Sequence, residues 1–389
     1  MRYYTRSAHP ARSDTGLYQE DKLTGYKVIQ WATGFTGMFA LKYILLNPQL
    51  DLVGLRCYSP AKIGKDAGEI CGLPPVGVSA TDSVDDLLAL DADCVIYTPG
   101  FYDFQDPLVP GTNTHEMFRT IIQLLENGKN VATTVCPFIG TEHYSSGDEV
   151  KAQIEIACHT GGVTFFATGF EPGFMGDVLP LTLASTCGVV TKLTATECLD
   201  YSDYYVAAYE TLQAMGFGRR PEDLSAEDAN AIHLTWGSVP YMAARGLGVT
   251  LDTVTVETEI FLAPERFTVG DRVVDEGTIA AMIFRVNGVI NGEPRIVLQH
   301  VNRLREDMAP EWPNVEPAGG YRIEIEGTNP LRGDFQLGLP GSEGSSFADA
   351  MAMTAARCVN AVEAVVQASP GFKTFLDLPT LTGKYTLHS

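Results

Sequence analysis

The chain has 389 residues, of which 45% are hydrophobic and 19% are charged. This composition is typical of a folded protein, and the length favours two domains, since one domain usually has about 100 to 200 residues. The formal net charge of −21 disfavours a nucleic-acid partner, because the chain would repel a phosphate backbone. No apolar run reaches the roughly 20 residues of a membrane span, and the eight cysteines form no CxxC pair. We therefore expect a cytoplasmic protein with no membrane partner and no metal.

The beginning of the chain does not resemble a folded element. Residues 1–25 carry Arg2, Arg6 and Arg12 among polar residues and lack the apolar core of a secretory signal. We interpret this segment as a flexible N-terminal arm.

Residues 26–170 alternate short apolar runs with amphipathic stretches, a pattern typical of parallel strands joined by crossover helices. Five runs predict strands, namely KVIQW, LVGLRCY, CVIYT, NVATTV and VTFFAT. Leu41 and Leu45 have helical spacing before Pro48, and Gly128 is a candidate C-cap for a later helix. We predict a Rossmann-like α/β domain with a doubly wound parallel sheet.

Residues 171–344 contain longer β-prone runs. Within them, Asn287-Gly288 and Asn291-Gly292 both predict tight turns. We predict a second, α+β domain for substrate binding and dimerisation, built on an open, mostly antiparallel sheet.

The last segment, residues 345–389, contains a long helical pattern that ends at Ser369-Pro370-Gly371. We expect this C-terminal helix and tail to pack back on the first domain.

The segment IQWATGFTG is a candidate phosphate-binding loop, because it joins a predicted strand to a predicted helix. In the G-x-G-x-x-G pattern the glycines allow a tight turn, close approach of the pyrophosphate, and close packing of helix on strand. Gly34 and Gly37 hold the second and third places, and Ala32 holds the first. Ala32 fits if its φ is negative, since methyl is the smallest substituent. We predict phosphate binding at the N-terminus of the following helix.

Arg56 stands at the end of the second predicted strand, where NAD-preferring sites usually carry an acidic residue. A guanidinium at this place favours a 2′-phosphate, so we expect NADP, with NAD also accepted. The alternative is a solvated arginine at a strand end. The predicted cofactor-binding residues are Ala32, Thr33, Gly34, Phe35, Thr36, Gly37, Arg56, Ser59, Lys62, Thr98, Pro99 and Thr134.

Several segments resemble a known superfamily. They are IGKDAGEICG (63–72), ATGFEPGFMGDVLPLTLAS (167–185), LDYSDYYVAAYETLQAMGFG (199–218), HVNRLREDMAPEWP and YRIEIEGTNPLR. Together they resemble the dihydrodipicolinate reductase-like superfamily, in the branch of 2,4-diaminopentanoate dehydrogenases and native amine dehydrogenases. The resemblance implies an NAD(P)-binding domain, a second domain with an open sheet, and a homodimer assembled partly through that sheet.

Two departures from the superfamily are informative. The His-His-x-x-Lys substrate motif of the reductases has no counterpart, since none of the seven histidines has a histidine neighbour, and this disfavours the lysine-biosynthesis reaction. Glu171 stands where the amine dehydrogenase branch usually carries asparagine. It faces the nicotinamide or caps the next helix.

The resemblance implies NAD(P)H-dependent reductive amination of a small ketone or aldehyde with ammonia, and oxidative deamination in reverse. A carboxylate suits this reaction, because it can take a proton from ammonium and stabilise the iminium. The family holds its catalytic glutamate between the fourth strand and the next helix, which points to Glu116, with Asp103 as runner-up and Glu142 as a further candidate. The structural alternative is that Asn113 and Glu116 form a helix capping box.

The substrate pocket is expected to combine aromatic walls with few polar groups. Its predicted residues are Phe138, Tyr144, Glu171, Phe174 and Tyr204, with Phe101, Tyr102, Tyr201 and Tyr205 as further aromatic candidates. Two other functions stay open, namely a reductase of a preformed imine or C=C bond and a non-catalytic NADP-binding sensor.

Overall fold

The computed structural model describes residues 25–100, 103, 105–342 and 344–387. Residues 1–24 of the expected arm lie outside the described residues. Two sheets organise the rest of the chain, one parallel and one mixed, and the helices cover them.

The first sheet contains seven parallel strands. They are β1 Tyr26–Trp31, β2 Leu50–Arg56, β3 Ala80–Thr81, β4 Cys94–Tyr97, β5 Asn130–Thr133, β6 Thr164–Ala167 and β15 Gly371–Lys373. Their spatial order is β15-β6-β5-β4-β1-β2-β3. The central strands β4, β5 and β6 are buried along their whole length, as expected for a parallel sheet with both faces covered. The predicted Rossmann-like, doubly wound fold is confirmed.

The second sheet contains six strands in the order β14-β13-β7-β12-β11-β8. They are β7 Val189–Asp200, β8 Thr253–Leu262, β11 Ile279–Ile290, β12 Glu293–Arg303, β13 Gly320–Thr328 and β14 Leu331–Gln336. A separate hairpin pairs β9 Phe267–Val269 with β10 Arg272–Val274. Only the β7–β12 pair within the six-stranded sheet is parallel, so the prediction of a mostly antiparallel second sheet is confirmed.

Helices connect and cover these strands. They are α1 Phe35–Leu46, α2 Ala67–Ile70, α3 Val84–Ala89, α4 Asn113–Glu126, α5 Gly147–Gly161, α6 Val178–Ala184, α7 Ser202–Ala207, α8 Tyr209–Ala214, α9 Ala226–Trp236, α10 Ser238–Leu247, α11 Ser346–Asn360 and α12 Val362–Gln367. Among the described residues no helix is both long and apolar enough to cross a bilayer.

Of the two predicted tight turns in the second domain, one is confirmed and one is wrong. Asn291 and Gly292 have φ values of 52° and 76° and join β11 to β12. Asn287 and Gly288 lie inside β11 and pair with β12. Asn291-Gly292 therefore forms the hairpin turn. The register between β11 and β12 shifts after Gly288, as in a β-bulge.

The end of the chain returns to the first sheet. Helix α11 packs against α1, and β15 pairs in parallel with β6 through Phe372 and Phe165. Ser345 begins α11, since its side chain accepts a hydrogen bond from the Ala348 amide at 3.2 Å. This arrangement brings α11 over the first turn of α1, beside the loop after β1.

Candidate active site

A cavity of about 600 Å³ lies at the carboxyl ends of the first sheet's strands and opens toward the second sheet. One wall comes from the loops after β1, β4 and β5, and it includes Gly34, Phe35, Thr36, Thr98, Pro99 and Thr134. The other wall includes Glu171, Glu197, Tyr201, Tyr204, Trp236, His300 and Tyr321. Ligands of doubly wound sheets bind in this kind of crevice.

The loop after β1 has the strand–loop–helix setting of a phosphate site, but one expectation about it was wrong. Ala32 has a φ of +80°, not the negative value expected, so its methyl group stands in a left-handed conformation that favours glycine. Hydrogen bonds on both sides hold it, since its amide donates to Arg56 O at 3.0 Å and its carbonyl accepts from Gln30 Nε2 at 2.7 Å. The surrounding structure therefore imposes the conformation.

The two glycines of the loop have different surroundings. A Cβ on Gly37 would lie 2.4 Å from the Ala32 carbonyl oxygen, whereas a Cβ on Gly34 would have no protein atom within 4 Å. Gly34 is the N-cap of α1 and provides no side-chain cap, so the first amides of the helix are available to a ligand. The open space at Gly34 and these amides fit a dinucleotide pyrophosphate.

Two cations flank the same loop. The Arg56 guanidinium stacks 4.6 Å from the centre of the Tyr58 ring and donates to Cys57 O at 2.5 Å. Lys62 Nζ donates to Thr33 O at 2.7 Å. Ser59 is exposed beside them. The end of β2 therefore carries positive charge beside the loop after β1.

The opposite wall contains a buried cluster of three ionisable groups. His300 Nε2 lies 2.8 Å from Glu171 Oε2, and His300 Nδ1 lies 3.0 Å from Glu197 Oε1. All three side chains are at most 4% exposed. Glu171 comes from the loop after β6, whereas Glu197 and His300 stand opposite each other on β7 and β12. The cluster therefore joins the first domain to the second sheet.

Neutral donors complete the cluster. Glu197 accepts hydrogen bonds from Tyr201 Oη at 2.8 Å and Tyr321 Oη at 2.7 Å. Glu171 Oε2 accepts one from Trp236 Nε1 at 2.9 Å, and Glu171 Oε1 has no partner. Glu197 is thus surrounded by donors, whereas Glu171 Oε1 is buried beside Gly176 without a hydrogen-bond partner.

These contacts set the charges. Burial alone would lower the pKa of His300, but the carboxylates of Glu197 and Glu171 outweigh it and raise this pKa to about 10. Burial would raise the pKa of Glu197, but the His300 imidazolium and the two tyrosine hydroxyls hold it below its usual value. Burial raises the pKa of Glu171 above its usual value, although His300 and Trp236 oppose it. Glu171 is thus the carboxyl of the cluster best suited to exchange a proton.

The cluster also has the residue types of a metal site, since one ligand atom from each side chain lies within 4.8 Å of the others. However, the two carboxylates face opposite nitrogens of one imidazole. An imidazolium has no lone pair for a metal, and one ion cannot bind both ring nitrogens. The geometry fits a carboxylate–imidazolium–carboxylate bridge.

The three carboxylates that the sequence predicts as catalytic are not among the described residues that line the cavity. Glu116 is exposed on the first turn of α4, and Glu142 is exposed with Oε2 accepting from the Thr141 amide at 3.0 Å. Asp103 binds the start of α4 and accepts from Thr114 Oγ1 at 2.6 Å. The predicted capping box is wrong, because Thr112 is the N-cap of α4 and bonds the His115 amide.

The predicted pocket residues divide between cavity and core. Glu171 and Tyr204 line the cavity, as does Tyr201. Phe138 is instead fully buried in the core, between the rings of Phe118 and Phe165. The other predicted aromatics outside the described lining are Tyr144 beside His143, Phe174 beside Arg357, and Tyr205 beside Tyr209. Phe101 and Tyr102 lie outside the described residues.

Sequence reasoning missed Glu197 and His300. Each lies among apolar neighbours at an inward-facing strand position, in the runs TATECL and VLQHVN. A charged or ionisable residue at such a position is rarely buried without a partner, and this signal could have identified them. Their pairing depends on the β7–β12 register, which no local pattern contains.

Comparison with known proteins gives a consistent relationship. Residues 174–386 match the family model of the 2,4-diaminopentanoate dehydrogenase C-terminal domain. The chain is 32% identical over 361 residues to an amine dehydrogenase of Streptomyces virginiae, covering 90% of this chain and 95% of that protein. It is 24% identical to the 2,4-diaminopentanoate dehydrogenase of Acetoanaerobium sticklandii, covering 59% of this chain and 62% of that one.

A solved structure supports the fold. The amine dehydrogenase from Mycobacterium smegmatis superposes with a TM-score of 0.70 at 16% identity, covering 94% of this chain and 99% of that one. The family model and the 32% identical amine dehydrogenase show that the chain belongs to the amine dehydrogenase and 2,4-diaminopentanoate dehydrogenase family, whose members are NAD(P)-dependent oxidoreductases acting on carbon–nitrogen bonds.

Proposed function

We propose that this protein is an NADPH-dependent amine dehydrogenase that converts a small ketone or aldehyde and ammonia into an amine, with Glu171 as its acid and base. The observation that carries the proposal is the buried Glu171 carboxylate in the cavity lining, with Oε1 unpartnered. An acid and base for this reaction must reach the substrate and exchange a proton near neutral pH. Glu171 lines the cavity, and burial moves its pKa upward from the usual carboxyl value, toward neutral pH.

The chain's own groups account for the proton balance. Glu171 takes a proton from ammonium, which releases ammonia to attack the carbonyl carbon. The resulting carboxylic acid returns this proton to the carbinolamine hydroxyl, so that water leaves and the iminium forms. When bound, the nicotinamide supplies the hydride that the iminium carbon accepts. Carbonyl, ammonium and hydride thus become amine and water, and Glu171 ends as the carboxylate.

The charge of the cavity favours a cationic intermediate. Two carboxylates and one imidazolium leave one net negative charge in the cluster. None of the lining residues that the structure describes is a lysine or arginine. A fixed negative charge in a buried site stabilises the positive charge that develops on the iminium nitrogen.

The cofactor preference for NADP is supported by Arg56 and Lys62, which stand at the end of β2 and beside the Thr33 carbonyl. A guanidinium and an ammonium can both bind a 2′-phosphate. NAD would lack this contact and bind more weakly.

The homodimer implied by the family resemblance is part of the proposal. Strands β8 and β14 are the two edges of the second sheet, and β14 is exposed at five of its six residues. Exposed edge strands can pair with another chain. Sedimentation velocity tests this directly, and a monomer at micromolar concentration would contradict it.

The function is tested by following NADPH oxidation with a panel of small ketones and aldehydes, with and without ammonium, at mildly alkaline pH. Ammonium-dependent turnover with amine formation is the expected result. A preformed cyclic imine without ammonium serves as the comparison substrate. Turnover of that imine alone would favour an imine reductase, and NADPH binding without any turnover would favour a sensor.

A further inference from the structure

The His300–Glu197 pair is built into the second sheet. The two residues are partners in the parallel register of β12 and β7, and their side chains are 1% and 4% exposed. A shift of one residue would turn either side chain to the opposite face. The sheet therefore fixes the pair before any ligand binds.

Aromatic rings determine how the imidazole is oriented. Phe284 stacks on His300 with ring centres 4.4 Å apart and an interplanar angle of 16°. Trp236 packs against it at 5.0 Å and 60°, while the Trp236 indole also bonds Glu171. With its plane held in this way, the imidazole has Nδ1 3.0 Å from Glu197 Oε1 and Nε2 2.8 Å from Glu171 Oε2, as ion-pair contacts without aligned hydrogen bonds.

We propose that Glu197 and His300 are positioning residues for the amination reaction: Glu197 keeps His300 an imidazolium, and the imidazolium, in contact with Glu171 Oε2, holds the Glu171 carboxylate in place and charged in the wall of the cavity. This inference rests on the proposed role of Glu171. His300 keeps both ring protons throughout, because each nitrogen faces a carboxylate. It orients and charges Glu171 and transfers no proton to the substrate.

The other ionisable groups around the cluster do not replace this imidazolium. Tyr201 and Tyr321 donate to Glu197, and burial raises the pKa of both hydroxyls. Burial also raises the pKa of Cys136, of Tyr204 and of Asp177, the last to about 7. The Arg357 guanidinium acts on Asp177. Among the described groups, His300 is thus the cation in contact with Glu171.

Loss of the Glu197 charge has a defined direction. Without it the pKa of His300 falls, so His300 becomes neutral at a lower pH and no longer stabilises the Glu171 carboxylate. The Glu197 charge also repels the Glu171 carboxylate directly and so raises its pKa. His300 is in contact with Glu171 at 2.8 Å, so we expect loss of the imidazolium to outweigh loss of this repulsion and the pKa of Glu171 to rise. Since Glu171 must be deprotonated to accept a proton from ammonium, activity requires a higher pH.

Glu197→Gln tests this, because it keeps the size of the side chain and removes its charge. We expect the acid limb of kcat/KM for ammonium to move up by about one pH unit, so that kcat/KM falls about tenfold at pH values below the wild-type limb, since one pKa unit changes a protonation ratio tenfold. Glu259→Gln is the matched control, since Glu259 pairs with Arg285 on the same sheet at 2.6 Å and is exposed. A Glu197→Gln profile that is unshifted would overturn the inference, because a purely structural role lowers activity at every pH alike.

A second measurement needs no turnover. In protein labelled with ¹⁵N-histidine, one ring should remain an imidazolium at pH 8.5 in wild type, lose that state in Glu197→Gln, and be missing in His300→Gln. A neutral His300 in wild type at pH 8.5 would overturn the inference. Absence of ammonium-dependent turnover in wild type would instead overturn the proposed function, so the two failures are distinct.

Discussion

The two walls of the cavity are built in different ways. The wall on the first sheet offers backbone amides and small residues, so its recognition depends on empty space at Gly34 and close packing at Gly37. The wall on the second sheet offers charged side chains held by other side chains. We call the first the cofactor wall and the second the charged wall. Substitutions that add side-chain atoms should therefore impair the cofactor wall, whereas substitutions that remove a charge should impair the charged wall.

The largest expected effect is on the charged wall. Glu171→Gln should lower kcat for ammonium-dependent amination by about 10² to 10⁴, the usual contribution of an acid or base, and should leave the Kd for NADPH unchanged. Kinetics and fluorescence titration of NADPH measure the two quantities. Glu116→Gln is the control, because sequence reasoning favours Glu116 and the structure leaves it exposed. Loss of activity in Glu116→Gln alone would transfer the catalytic role to that residue.

The second largest effect is expected at the edge of the cofactor wall, where Arg56 carries a positive charge. Arg56→Ala should lower kcat/KM for NADPH by about 10- to 100-fold, as expected for losing charge-assisted hydrogen bonds worth about 1.5–3 kcal/mol. The value for NADH should stay unchanged. Lys65→Ala, an exposed lysine nearby, is the control. Equal losses with both cofactors would mean that Arg56 acts only by supporting the loop through Cys57 O.

Sequence patterns were sufficient for much of the fold. The five predicted strands of the first domain correspond to β1, β2, β4, β5 and β6, because each is a short apolar run bounded by turn residues. The short strand β3 and the return of β15 to the sheet were not predicted. Both are two or three residues long, and tertiary pairing creates them where local pattern is weak.

The parts of the candidate site whose residues are close together in the sequence could be predicted, and the parts that join distant residues could not. Gly34 and Gly37 lie three positions apart in one short motif, and the structure contains both the predicted loop and the helix after it. The acidic cluster joins positions that are 26 and 103 residues apart, Glu171 with Glu197 and Glu197 with His300. Their contact follows from strand register and a domain junction. Sequence spacing alone contains neither.

Adding a methyl group separates packing from binding within the cofactor wall. Gly37→Ala would place a Cβ 2.4 Å from Ala32 O and 2.9 Å from Thr98 Oγ1, so the free energy of unfolding should fall by about 1–3 kcal/mol. Gly34→Ala meets no protein atom within 4 Å and should change stability by less than about 1 kcal/mol, while weakening NADPH binding. Urea unfolding and NADPH titration distinguish them. Unchanged NADPH affinity in Gly34→Ala would argue against pyrophosphate at this place.

The smallest effect concerns Ala32, where the cofactor wall departs from the usual glycine. A left-handed conformation costs an L-residue about 1–2 kcal/mol, and glycine loses about 0.5–1 kcal/mol more conformational entropy on folding. Ala32→Gly should therefore raise the free energy of unfolding by about 0.5–1 kcal/mol, and Ala32→Val should lower it. NADPH affinity should stay the same in Ala32→Gly, because Gln30 and Arg56 hold the backbone on either side. Urea unfolding of the three proteins measures this order. If Ala32→Gly were the least stable, the left-handed turn would contribute no strain, and the Ala32 methyl group would be part of the packing that positions the loop.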